Sequence, residues 1–96
     1  MRQRWSSKAL SDLDSIRDYT RKEWGAAQAA RYVRSIRVVV SSAANAPMLA
    51  ASIGDHRPGY RKVTVGAHMV FFQINGEAIE IVRILHGAMD IEQKLD

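Results

Sequence analysis

Five residues in the C-terminal half have side chains suited to a phosphate: Arg61, Lys62, His68, Arg83 and His86. A histidine can move a proton, and an arginine can stabilise the charge that builds on a phosphorane-like transition state. Such a set can cut RNA without a metal. The candidate catalytic residues are therefore Arg61, His68, Arg83 and His86. A nuclease also wants a second acid or base, and Tyr60 beside Arg61 would serve equally well in a core. The structural alternative is that His68 and Arg83 cap a sheet edge, paired with Asp90, Glu80 or Asp55. Other chemistries lack their residues. The chain has no Cys, so disulfides and thiolate sites are out. His56, His68 and His86 show no HExxH or other close pairing, so no metal and no cofactor is expected. There is no GxGxxG or Walker A loop, and no serine has a nucleophile's context.

The elements that hold these residues are strands. Tyr60–Val65, His68–Ile74 and Glu77–Leu85 are rich in β-branched and aromatic residues, with turns at Gly66-Ala67 and Asn75-Gly76. Asn-Gly between two such runs predicts a hairpin with a type I′ turn. Centred there, the loop sets Ile74 opposite Glu77, Phe72 opposite Ile79, Val70 opposite Ile81 and His68 opposite Arg83. Alternation then gives Met69, Phe71, Val82 and Ile84 the other face. Both faces are apolar, so both need cover.

Upstream, residues 2–6 read as a short strand with Trp5 turned to the core, and Ser6 or Ser7 as a helix N-cap. Leu10, Leu13, Ile16 and Tyr19 or Thr20 recur at helical spacing from Lys8 to Trp24, and Gly25 is a stop. A second helix runs from about Ala26 to Ala44 on the stripe Ala29, Tyr32, Val33, Ile36, Val39, Val40, Ala43. So short a connection folds the pair into an antiparallel hairpin. Asn45 and Pro47 end it, and residues 47–59 read as a loop. The order is β-α-α-β-β-β: an α+β domain over residues 1–96, with an N-terminal strand, an αα-hairpin and a three-stranded antiparallel meander.

One helical hairpin covers one face of a sheet, and about eleven residues after Leu85 are too few to hide the other. A partly exposed apolar patch bordered by basic residues, at Met69, Phe71, Val82 and Ile84 or their opposite-face counterparts, is the expectation, and such patches mark partner surfaces. An open sheet edge would also invite strand addition. The chain is 47% apolar and 25% charged, with a formal charge of +4. That balance suits an acidic partner. No apolar run approaches the roughly 18–20 residues that span a bilayer, so no membrane is expected. The polar start lacks a signal peptide's apolar region, which points to the cytoplasm.

The chain resembles the ParE branch of the RelE/ParE toxin superfamily over nearly its whole length. The likeness lies in Ala9-Leu10-Ser11-Asp12-Leu13-Asp14-Ser15-Ile16 with Tyr19, Trp24-Gly25, Ala29-Ala30-Arg31-Tyr32, Gly59-Tyr60-Arg61 and His68-Met69-Val70-Phe71-Phe72. Its most specific piece is Ile81-Val82-Arg83-Ile84-Leu85-His86-Gly87-Ala88-Met89-Asp90. The resemblance implies a toxin of a type II toxin–antitoxin pair, held in a hetero-oligomer by a ParD-like antitoxin whose C-terminal segment folds onto it. ParE-like members poison DNA gyrase, and RelE-like members cut mRNA on the ribosome. Gly87 stands where some nuclease branches carry a Tyr, and the loop has Asp55 but no Glu, which favours gyrase. The expected antitoxin contacts are Met69, Phe71, Val82, Ile84, Arg61 and Arg83. The expected target contacts are His86, Met89 and Asp90.

Overall fold

The computed structural model describes residues 1–53 and 58–87. Strand β1 (Arg2–Trp5) leads into helix α1 (Ser7–Trp24), and α2 (Ala26–Asn45) follows after Gly25 alone. A single turn of 3-10 helix at Pro47–Leu49 precedes β2 (Ala51–Ser52), and β3 (Tyr60–Val65), β4 (His68–Asn75) and β5 (Ala78–His86) complete the sheet. The spatial order is β1-β5-β4-β3-β2. The meander β3-β4-β5 is antiparallel, as expected, but β1 lies parallel to β5, so the sheet is mixed rather than antiparallel. Of the meander strands only β5 offers β1 an open edge, because β4 lies between its neighbours and β3 pairs with β2. The loop expected over 47–59 therefore contains a short edge strand.

Ser6 caps α1: its hydroxyl oxygen accepts from the Ala9 N–H at 3.0 Å. Ala9, Leu13, Ile16 and Thr20 face the sheet, while Leu10 and Tyr19 are exposed. The stripe is thus one position off the expected Leu10. On α2 the expected stripe holds, with Ala29, Val33, Ile36, Val40 and Ala43 buried. These residues close over Val65, Val70, Phe72, Ile79, Ile81 and Ile84 to make the main core, and Trp5 packs against it.

The β4–β5 register departs from the expected one. Asn75 pairs with Ala78, Ile74 with Ile79 and Phe72 with Ile81, so the loop is Gly76-Glu77. Gly76 carries the one positive φ of this turn (64°), and among the described residues no non-glycine has one. A glycine in the first central position asks nothing unusual of Asn75, which stays in its strand. The slip of two residues keeps the faces as expected up to Ile81. A bulge between Phe71 and Phe72 then shifts the count, so that Arg83 pairs with Phe71, Ile84 with Val70, Leu85 with Met69 and His86 with His68. Ile84 thus joins the helix-side core, and Leu85 takes the place expected for it on the far face.

That far face carries a second cluster of Phe71 and Leu85, both 0% exposed, with Ile53, Met69 and Val82 packed on it. Of the partly exposed patch expected at Met69, Phe71, Val82 and Ile84, Phe71 and Ile84 are buried, and Met69 and Val82 are half-buried. Ile53, tied to the sheet by its N–H to the Tyr60 carbonyl, supplies cover from a segment read as loop. Among the described residues the large apolar side chains left exposed are Met1, Leu10, Tyr19, Trp24, Val38, Met48 and Leu49. The tail after Gly87, expected to be too short to cover this face, lies outside the described residues.

Candidate functional site

Arg83 is a charged residue in an apolar strand and needs a counterion. α1 supplies it in Asp12, one position from Leu13 on the edge of the buried stripe. Arg83 Nε donates to Asp12 Oδ2 at 2.7 Å and a guanidinium NH2 to Oδ1 at 2.8 Å, a bidentate pair with both side chains only 16% exposed. The same Oδ2 accepts the Ile84 N–H at 2.9 Å. Just before it, the Ser6 hydroxyl donates to the Val82 carbonyl at 2.7 Å. Beyond Ile81 the strand β5 has left β1 behind, and the start of α1 satisfies the backbone groups freed there. The bond to Asp12, reinforced by its charge, raises the Arg83 guanidinium pKa against the opposing effect of burial. Asp12 was not among the partners expected for Arg83 in its structural role; of those, Asp90 and Asp55 lie outside the described residues.

His68 and His86 do meet, directly opposite each other across β4 and β5. Their ring centres are 5.6 Å apart and the planes stand nearly perpendicular. Tyr32, from the α2 stripe, reaches the same corner: its hydroxyl donates to the Val65 carbonyl at 2.9 Å and lies 2.6 Å from His68 Nδ1. A phenol has one hydrogen, so with Val65 taking it the short contact is an Nδ1–H donated to Tyr32. The β3–β4 turn wraps this hydroxyl closely. Gly66 sits at φ 54°, and a Cβ there would lie 2.8 Å from the Tyr32 oxygen. Burial pushes the Tyr32 phenol up, against the pull of the Ala67 backbone N–H. It also pushes the His68 imidazole down, and charge on His86 adds to that shift.

Two adjoining clefts open over the pair, each about 330 Å³. One is lined by Tyr19, Thr20, Trp24, Gln28, Tyr32, Ala67, His68 and His86. The other lies toward Ser15 and Ile16. Tyr19 and Trp24 on the rim are 64% and 72% exposed.

Arg61 stands apart. It pairs in register with Phe72, four residues along β4 from His68, roughly 13 Å at 3.3 Å per residue. Its guanidinium donates to the Ala50 carbonyl at 2.8 Å and fastens the segment before β2. The four candidate catalytic residues therefore divide among three places: Arg61 by β2, Arg83 on Asp12, and the histidines at the cleft. The expected antitoxin contacts also divide. Met69, Phe71 and Val82 belong to the far-face cluster, with Lys62 opposite Phe71, whereas Ile84 belongs to the helix side and Arg61 pairs with Phe72. Met89 and Asp90 lie outside the described residues. Among the described residues no group of three or more His, Asp or Glu could hold a metal, and no helix is long and apolar enough to cross a membrane.

Asp12, Tyr32 and Tyr19 were not singled out as site residues. The phenol of Tyr32 was the readable signal, because a tyrosine in a buried stripe needs a partner for its hydroxyl. For Asp12 the signal was its place beside Leu13, on a helix that packs against a strand holding an arginine among apolar residues.

A strand, a helical hairpin and a mixed sheet define a small α+β protein. The chain matches the family described as "ParE toxin of type II toxin-antitoxin system, parDE" over residues 4–91, and it belongs to that family. It is 37% identical over 91 residues to Toxin ParE1 of Mycobacterium tuberculosis (strain ATCC 25618 / H37Rv), covering 94% of this chain and 93% of that one. Toxin ParE1 of Caulobacter vibrioides is 36% identical over 92 residues, with 96% and 95% covered. Toxin ParE of Escherichia coli is 33% identical over 91 residues, with 94% and 88% covered. The fold is shared with a chain of the chromosomal ParDE TA system from P. aeruginosa at a TM-score of 0.79 and 28% identity, covering 90% of this chain and 95% of that one.

Proposed function

We propose that this toxin acts in the cytoplasm by inhibiting DNA gyrase through protein contact, and that a ParD-like antitoxin neutralises it. The observation that carries the choice of contact over cutting is the dispersal of the basic set. Metal-independent RNA cleavage needs an acid, a base and a cation converging on one phosphate. Here Arg83 is clamped to Asp12, and Arg61 lies roughly 13 Å along the sheet from His68. A cation committed to a bidentate carboxylate is poorly placed to take up charge from a transition state.

The antitoxin contact rests on the half-buried Met69 and Val82 with Lys62 beside them, over Phe71 as support. Ile84 and Arg83 act from beneath and Arg61 from the neighbouring strand β3. A disordered acidic tail that folds on binding suits a chain with a charge of +4. The target contact takes His86 and, from the sequence, Met89 and Asp90.

A supercoiling assay with purified gyrase tests the reading. The toxin should cause cleaved DNA–gyrase complex to accumulate, and its antitoxin should abolish the effect. Unimpaired supercoiling at large toxin excess would overturn gyrase as the target. Discrete cuts in translated mRNA, mapped by primer extension after induction, would put a ribosome-dependent endoribonuclease in its place.

A further inference from the structure

We propose that His68 and His86 together form a binding site for a borderline transition-metal ion, Zn²⁺ or Ni²⁺, at the mouth of the Tyr19–Trp24 cleft. Neither the fold nor a toxin's contact with its partners requires such a site. It stands on the geometry of the two imidazoles and is independent of the gyrase reading.

The first ground is distance. Two imidazoles on one tetrahedral ion, each nitrogen about 2.0–2.1 Å from it, hold their ring centres roughly 5 Å apart. The rings of His68 and His86 are 5.6 Å apart and nearly perpendicular, so a small side-chain rotation brings them to chelating separation. Direct opposition on neighbouring strands fixes both Cβ atoms, so little is lost in bringing the donors together.

The second ground is the tautomer. A metal-ligating histidine commonly donates its other ring N–H to an oxygen, which orients the ring and strengthens the donor. His68 has that arrangement: Nδ1–H goes to the Tyr32 hydroxyl at 2.6 Å, and the lone pair is left on Nε2, on the ring's other flank. Tyr32 is itself held by Val65 and the tight turn at Gly66.

The third ground is room and ligand type. Both histidines line both clefts, and among the described residues neither cleft has an Asp or Glu in its lining. Nitrogen donors without carboxylates suit zinc or nickel over magnesium or calcium. With two protein ligands the remaining positions are open to water or to a group brought by a partner.

Titration calorimetry of the full chain with ZnCl₂ or NiCl₂ at about pH 7.5 tests this. One ion per chain is expected, with His86→Ala weakening affinity at least tenfold. Tyr32→Phe should weaken it severalfold while both histidines remain, as expected for a positioning residue. In NMR spectra, Ni²⁺ should broaden the ring protons of His68 and His86 before others, including those of His56. His86 is exposed, so its variant should stay folded, with thermal melting as the check. No binding at millimolar metal would overturn the site, as would affinity unchanged in His86→Ala or lost instead in His56→Ala.

Discussion

Tyr32 carries one hydroxyl hydrogen, and Val65 takes it; that assignment sets the protonation of its neighbours. His68 is left as the Nδ1–H tautomer and half-buried, so adding a second proton is harder in the folded chain than in the unfolded one. The unfolded state then binds the extra proton first. Stability is full above the ordinary histidine value of 6.5 and falls as pH drops below it. Urea melts taken between about pH 7 and pH 5 should show this fall, and His68→Gln should flatten it. An equally steep curve in the variant would assign the effect to other groups.

At the scale of elements, the most informative join is between α1 and β5. Its packing is apolar, through Ala9, Leu13 and Ile16, but Asp12 and Ser6 set the alignment. A bulge near Val82 turns the strand as its partner β1 ends, and the backbone groups exposed by that ending are met by side chains of the helix that β1 runs into. Asp12→Ala would leave a mostly buried guanidinium without its carboxylate and the Ile84 N–H without an acceptor. The expected loss is about 3 kcal/mol, at the low end for a broken buried pair. Equilibrium urea unfolding measures it. A loss under about 1 kcal/mol would mean the pair behaves as a surface ion pair does.

For the whole molecule the sheet has two coats. The helices seal one face, and the other has its own small cluster centred on Phe71 and Leu85. A charge at Phe71, which is fully buried, should abolish cooperative folding, since neither partner nor water can reach it. Met69 is half-buried, so Met69→Glu should keep a cooperative melt and weaken antitoxin binding at least tenfold, as a pull-down or calorimetric titration would show. Full affinity in a folded Met69→Glu would move the antitoxin surface to the exposed apolar residues of the helical side, where Leu10, Val38, Met48 and Leu49 stand.

Local periodicity was enough to place both helices within a residue or two, the strands Tyr60–Val65, His68–Asn75 and Ala78–His86, the caps at Ser6 and Gly25, and the α+β class. Each of these depends on neighbours a few positions away, where helical and strand spacing leave a direct trace in the chain. Order and spacing of short motifs, from Asp12-Leu13 to Ile81–Asp90, also sufficed for the toxin family. The tertiary structure alone decided the turn at Gly76-Glu77, the bulge that moved Ile84 to the core and Leu85 away from it, the parallel seat of β1, and the pairing of Arg83 with Asp12 across 71 positions. Those outcomes turn on which of several nearly equivalent registers best fills the space under the helices and satisfies the last charges. That is a competition between surfaces far apart in the chain, and alternation along a single strand carries no record of it.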